Sequence, residues 1–243
     1  MSGHSKWANI KHRKEKTDSQ RGKIFTKIGR EIAIAVREGG ADPAANSKLR
    51  DAIAKARAGN MPNDNIARSI KKASGELGSI IYEEYVYEGF APGGAAVIVE
   101  ILTDNRNRTA PEIRHIFEKN GGMLGSAGCV GWMFERKGVI VIEKNVGKSE
   151  DELMEMAIEA GAEDFISMDD AYEIYTAPED FSAVREALEG KGLAFISAGL
   201  ERIPLNTVAV NPETAEKVRR LIEALEDNDD VQNVYHNAEF QES

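Results

Sequence analysis

Apolar positions change period partway along the chain. Between residues 23 and 38, Ile24, Phe25, Ile28, Ile32, Ala35 and Val36 recur at intervals of three and four, one side of a helix. Lys23, Lys27, Arg30 and Arg37 fall on the other side. Gly39 and Gly40 end this helix, and Asp42-Pro43 predicts the next, with the aspartate as N-cap and the proline in the first turn. Leu49, Ala52, Ile53 and Ala56 form its apolar stripe, and Gly59 is placed to cap its end. Pro62 with Asn63 or Asp64 opens a third helix, Ile66, Ile70 and Ala73 inward and Arg68, Lys71 and Lys72 outward. Gly75 and Gly78 read as a linker.

Past residue 79 the pattern becomes that of strands. Residues 80–90 are rich in β-branched and aromatic side chains, and 95–102 is apolar enough for a central strand, with Pro92-Gly93-Gly94 as the turn between them. A helix over 105–119 shows Ile113, Ile116 and Phe117, and a glycine-rich loop at 121–131 leads to strands at 132–135 and 139–143. A helix at 149–160, strands at 163–168 and 171–176, a helix at 178–189 and a strand at 194–203 follow. From 139 onward this is the βαββαβ order of a ferredoxin-like unit. The remainder, strand 207–210, helix 212–226 and strand 230–236, cannot close a core alone, but can complete the layer begun at 80–135. The expected fold is therefore α+β in three domains. An N-terminal three-helix domain occupies 1–78, a discontinuous α/β domain 79–136 and 204–243, and an inserted ferredoxin-like βαββαβ domain 137–203.

Composition suits a folded chain: of 243 residues, 42% are hydrophobic and 30% charged. The apolar run at 95–102 is far short of the ~20 residues that cross a bilayer, and the charged first thirty residues are no secretory signal. A single cysteine, Cys129, forms no internal disulfide, so a cytoplasmic location without membrane attachment is expected. The net charge of −10 discourages a nucleic-acid partner only if it is spread evenly. It is not. Residues 1–79 hold 17 basic and 8 acidic side chains, a net of +9, and residues 80–243 hold 14 and 33, a net of −19. Such asymmetry marks a nucleic-acid-binding region on an acidic body, a solvated helical domain that is simply basic, or one that docks on its own acidic partner domain.

Local chemistry excludes several functions. The histidines, His4, His12, His115 and His236, lack metal-site spacing, so no metal is expected. Asp227, Asp229 and Asp230 resemble a calcium loop, but Gln232 stands where its glycine is required, so a solvated acidic turn is the better reading. Gly147-Lys148-Ser149 lacks the first glycine of a phosphate loop, since position 142 is isoleucine. No serine elbow or cysteine–histidine pair is present, and the adjacent acidic pairs Glu83-Glu84 and Asp169-Asp170 point to opposite strand faces. No enzyme and no cofactor are expected.

Two constellations remain. The arm, residues 3–16, interleaves cations with aromatic and amide groups: His4, Lys6, Trp7, Lys11, Arg13, Lys14 and Lys16 offer phosphate contacts and a stacking ring. Trp7 has a second reading, as a plug fastening the arm to the helical domain. Arg21, Lys23 and Lys27 extend the cationic surface. The second constellation, Thr103-Asp104-Asn105-Arg106-Asn107-Arg108-Thr109, follows a buried strand and opens a helix. Asp104 or Asn105 as a plain N-cap explains the polar residues equally well, but arginine is unfavourable in a first turn unless an anion is recruited, which points Arg106 and Arg108 at phosphate. The glycine loop, with Gly122, Met123, Leu124 and Gly125, reads either as a structural turn or as a contact loop.

These stretches, with Gly40-Ala41-Asp42-Pro43, the segment from Asn60 to Ile66, Tyr87-Glu88-Gly89 and Pro92-Gly93-Gly94, resemble the YebC/PmpR family over essentially the whole length. That family includes bacterial regulators and the mitochondrial translational activator of cytochrome c oxidase. The arm matches at Gly3, His4, Ser5, Lys6, Trp7 and Lys11, and the second motif at Thr103, Asp104, Asn105, Asn107, Arg108 and Thr109. The loop matches at Gly122, Leu124, Gly125 and Gly128, while Phe90-Ala91 and Cys129 depart from the usual pattern. The resemblance implies a cytoplasmic three-domain protein without cofactor, in most members a DNA-binding transcriptional regulator. In others it implies a ribosome-associated translation factor that binds ribosomal RNA and relieves stalling at proline-rich stretches. A protein-interaction scaffold is the remaining class.

Overall fold

A computed structural model of the chain describes residues 6, 7, 10, 19–75 and 80–240. In chain order its elements begin with three helices, α1 (Ser19–Gly39), α2 (Ser47–Ala58) and α3 (Asn63–Ala73). There follow β1 (Glu83–Phe90), β2 (Ala96–Thr103), α4 (Arg106–Lys119), β3 (Met123–Leu124), β4 (Phe134–Glu143) and α5 (Glu150–Ala160). The chain continues with β5 (Asp164–Ser167), β6 (Ala171–Thr176), α6 (Phe181–Gly190), β7 (Ser197–Pro204) and β8 (Val208–Val210). It closes with α7 (Pro212–Asp227), β9 (Val231–His236) and β10 (Ala238–Phe240). The fold is α+β, with a three-helix N-terminal domain ahead of antiparallel sheets. Packing separates two compact units, Ile80–Glu135 with the segment from Arg202 onward, and Ser5–Ser79 with Arg136–Glu201.

In the second unit, the apolar stripes of α1, α2 and α3 meet in a core of Ile28, Ile32, Ala35, Val36, Leu49, Ala52, Ala56, Met61 and Ile66. Ile24, expected on that stripe, is exposed, and Ile34, off it, is buried. Helix α2 begins at Ser47 rather than at Asp42-Pro43. The reason is Asn46, which is buried: its side-chain oxygen accepts from the Leu49 N–H at 3.0 Å while its amide donates to Ala35 and Gly40 carbonyls at 2.8 Å. One side chain thus starts α2 and ties down the end of α1. Asp42 instead closes a turn, accepting from the Ala44 N–H.

The ferredoxin-like part of this unit forms a four-stranded sheet in the order β5-β6-β4-β7. Ile140 and Ile142 of β4 and Ile174 of β6 pack beneath Leu153 and Ala157 of α5 and Phe181, Val184 and Leu188 of α6. A capping box between Ser149 and Glu152 opens α5. The pattern around Gly138 predicted two strands, but β4 runs unbroken, because a side chain at 138 would overlap Thr176 Oγ1 and the Phe181 ring. Glycine here permits a close approach rather than a break. Arg185 of α6, only 2% exposed, donates to Asp51 of α2 at 2.8 Å and to Glu189 at 2.7 Å, fastening α6 to the helical domain.

The first unit carries a sheet in the order β3-β1-β2-β9. Strand β9, from the far end of the sequence, pairs antiparallel with β2, from Val97↔His236 to Ile101↔Val231. Val97, Val99 and Ile101 face Ile113 and Phe117 of α4 and Val218, Leu221 and Leu225 of α7. Ala96, Ile98, Val130, Phe134 and Tyr235 form a second cluster in the same unit. Two pairings have no clear trace in the sequence pattern: β3 with β1, and β10 in parallel with β8.

Candidate nucleic-acid interface

Of the predicted arm, His4, Lys11, Arg13, Lys14 and Lys16 lie outside the described residues, as does the side chain of Arg21. Lys6 and Trp7 are described, and both are occupied. The Lys6 ammonium sits 2.6 Å from a Glu201 carboxylate oxygen, with both side chains largely buried. Trp7 is 8% exposed, and its backbone N–H donates to Glu173 of β6 at 2.5 Å. Glu173 is itself fully buried and also accepts from the Tyr175 hydroxyl. Burial first, and then the adjacent Glu173 charge, push the Tyr175 phenol far up, so it stays a neutral donor. Trp7 is therefore a plug and not a stacking surface. Withdrawing a ring of this size from its pocket would cost about 3 kcal/mol, more than an exposed stacking contact returns on average. Lys23 and Lys27 are half-buried, and each has a partner.

The Arg106–Arg108 motif is corrected more sharply. Asn105 caps α4 by accepting from the Arg108 N–H, as its residue type predicts. The anion that Arg108 recruits, however, comes from the chain itself. Asp230, 4% exposed at the start of β9, lies 2.8 Å from the Arg108 guanidinium. It also accepts from Thr109 Oγ1 at 2.6 Å and from Thr103 Oγ1 at 3.2 Å. That hydrogen bond to Asp230 raises the pKa of Arg108 further. The predicted phosphate cradle is thus a polar clasp joining β2, α4 and β9. Asp230, expected in a solvated turn, is its buried centre. Arg106 takes no part in the clasp, and its guanidinium lies over the half-buried Tyr85 ring at 4.7 Å.

The glycine loop is held by backbone. Leu124 and Met123 pair with Gly89 and Phe90 of β1, Gly122 N–H donates to Phe117, and Gly125 N–H donates to Glu88. Close approach demands glycine at 89, where a Cβ would come within 2.5 Å of the Met123 carbonyl. The Glu88 carboxylate, 9% exposed, accepts from the N–H groups of Gly128, Val130 and Gly131 at 2.9, 2.7 and 2.7 Å. Burial alone would raise its pKa. The three N–H donors outweigh burial and hold it below the ordinary carboxylate value. Of the four predicted loop contacts, only Met123 presents a well-exposed side chain.

The role of Glu88 could have been suspected, since a lone acidic residue between apolar strand positions needs buried donors, and a glycine run supplies free N–H groups. Asp230 had no local signal, because its partners lie 121 to 127 positions away. Among the described residues, no His, Cys, Asp and Glu group could hold a metal, and no helix is long and apolar enough to cross a membrane.

The chain is thus a basic helical domain followed by a largely acidic α/β region, with the 103–109 motif and the glycine loop held by internal contacts. Family models match both parts. Residues 5–76 match the TACO1/YebC protein N-terminal domain, and residues 82–238 match the TACO1/YebC second and third domain. The chain belongs to the TACO1/YebC family. A relative in Caldicellulosiruptor saccharolyticus is 62% identical, covering 100% of both chains, and one in Acetivibrio thermocellus is 63% identical, covering 98% of both. Each is named a "probable transcriptional regulatory protein". The crystal structure of a conserved hypothetical protein from Aquifex aeolicus is similar over 98% of both chains, with TM-score 0.87 and 50% identity.

Proposed function

We propose that the protein is a non-enzymatic, cytoplasmic regulator of transcription that acts by binding DNA through its N-terminal domain, without a cofactor. The observation that carries this reading is the division of charge, +9 over residues 1–79 against −19 over the rest. A polyanion is the partner whose attraction grows with such a concentrated positive field, and the acidic remainder limits non-specific adhesion elsewhere. The regulatory names of relatives near 60% identity support the same reading.

Salt titration tests it. If six to ten phosphates are contacted, affinity of the full chain for a DNA duplex falls ~10³–10⁵-fold between 50 and 200 mM salt. Absence of binding to any nucleic acid at low salt refutes the reading. Crosslinking in cells that recovers ribosomal RNA in place of DNA replaces it with the translational reading.

A further inference from the structure

The cations aimed at phosphate by their position in the sequence are, where described, mostly committed internally. Lys6 pairs with Glu201 and Arg108 with Asp230, and elsewhere in the helical domain Arg50 pairs with Glu186 and Lys55 with Glu31. Helix α3 differs. Ile66, Ile70 and Ala73 face the three-helix core, and Asn63, Asp64, Ala67, Arg68, Lys71 and Lys72 are all exposed. Arg57, exposed at the end of α2, stands just before the connection to α3. Among the described residues, Arg57, Arg68 and Lys72 make no ion pair.

That connection is short and tightly bonded. It is the four residues 59–62, with Asn60 in the left-handed region at φ 57°. Gly59 N–H donates to Lys55, Asn60 N–H to Arg57 and Met61 N–H to Ala56. The sequence by itself shows no recognisable helix-turn-helix reader, but two helices joined by a four-residue, glycine-containing turn inside a three-helix domain have the connectivity of one, whose second helix enters the major groove.

We propose that α3 is the DNA-reading helix of this protein, with duplex DNA as its occupant. Its exposed positions include residue types that base edges select. Asn63 at its N-terminus offers the amide that pairs with adenine, and Arg68 the guanidinium that pairs with guanine. Lys72 and Arg57 flank them with phosphate-binding charge. The major groove of B-DNA, ~12 Å wide, admits such a helix. The deep, narrow major groove of an RNA duplex does not, which decides between the two polyanions. This inference rests on the nucleic-acid reading above and names the surface and the partner.

The test is fluorescence anisotropy of the full chain against a 30-base-pair DNA duplex of mixed sequence and an RNA duplex of the same sequence. The double variant R68Q/K72Q is compared with K217Q/R220Q, which removes the same charge from exposed positions on α7. Both pairs lie on solvent faces, and circular dichroism confirms that each variant is folded. The expected result is DNA affinity lowered roughly tenfold or more, and a salt slope smaller by about 2, in R68Q/K72Q alone. Wild-type DNA binding with unchanged affinity in R68Q/K72Q overturns the assignment of α3 while leaving the nucleic-acid reading intact. Tighter binding to the RNA duplex, lost in the same variant, overturns the choice of DNA. If the wild type binds neither duplex, both the inference and the reading fall.

Discussion

Glu88 offers the most searching test of how the first unit is held. Its carboxylate gathers three backbone N–H groups from residues 128–131, and Val130 is completely buried. Glu88→Gln keeps the shape and removes the charge. The amide oxygen can take the place of Oε2 and retain the Val130 and Gly131 bonds as neutral ones. The NH2 group must then face the Gly128 N–H, a donor against a donor. Hydrogen bonds to a charged acceptor contribute ~1.5–3 kcal/mol each and neutral ones ~0.5–1.5, and Gly128 is exposed enough to turn to water. The net cost should be about 2–3 kcal/mol. Hydrogen exchange reads this locally, and amides 130 and 131 should exchange roughly 30- to 150-fold faster at pH 7. The folded carboxyl has the lower pKa, so the unfolded chain takes up its proton first. Its stabilisation is complete above the unfolded pKa, near ~4.3, and disappears as pH falls through the folded value. Glutamine does not titrate. The gap between wild type and variant should therefore narrow below about pH 4, once exchange is corrected for intrinsic rates. A gap under threefold at pH 7, or one that widens in acid, refutes the reasoning.

Three further outcomes follow from the packing. Asp230→Asn should cost about 1–3 kcal/mol in urea denaturation, because it disarms a group serving two threonine hydroxyls in the interior, and Arg108→Met should cost about as much or more at neutral pH, since it leaves the buried Asp230 charge without its guanidinium. A loss under about 0.5 kcal/mol in either variant would contradict the clasp. Arg185→Ala leaves Asp51 with only the Ser182 hydroxyl and partial access to water and should cost about 2–3 kcal/mol, visible as a lowered midpoint and as faster exchange in both α2 and α6; an effect confined to α6 would show that the bridge holds nothing. Trp7 is 8% exposed and Trp132 67% exposed, so Trp132→Phe should leave a single blue-shifted emission that acrylamide quenches poorly and added DNA does not change. Strong quenching by DNA in that variant would restore Trp7 as a stacking residue.

Legibility in the sequence followed the range of the interactions. Strand β6 at 171–176, helix α7 and the βαββαβ order were all readable, because periodicity is settled within a few residues of the chain. Asn46 displaced Asp42 as the cap of α2 because only Asn46 could also reach the carbonyls of α1. The motif at 103–109 was correctly marked as polar chemistry needing an anion, but whether that anion was external phosphate or Asp230 depended on a strand more than 120 residues away. Lys6 and Trp7 show the same limit, since their partners Glu201 and Glu173 are set by the sheet.

By itself, then, the sequence determined the element order, the class of fold and the concentration of positive charge near the N-terminus, all properties of local pattern and composition. Only the tertiary structure decided which charges remain available to a partner. Burial makes an unpaired ion expensive, so a folding chain satisfies its interior charges first. What is left for function is the remainder, to which our proposal assigns the exposed residues of α3.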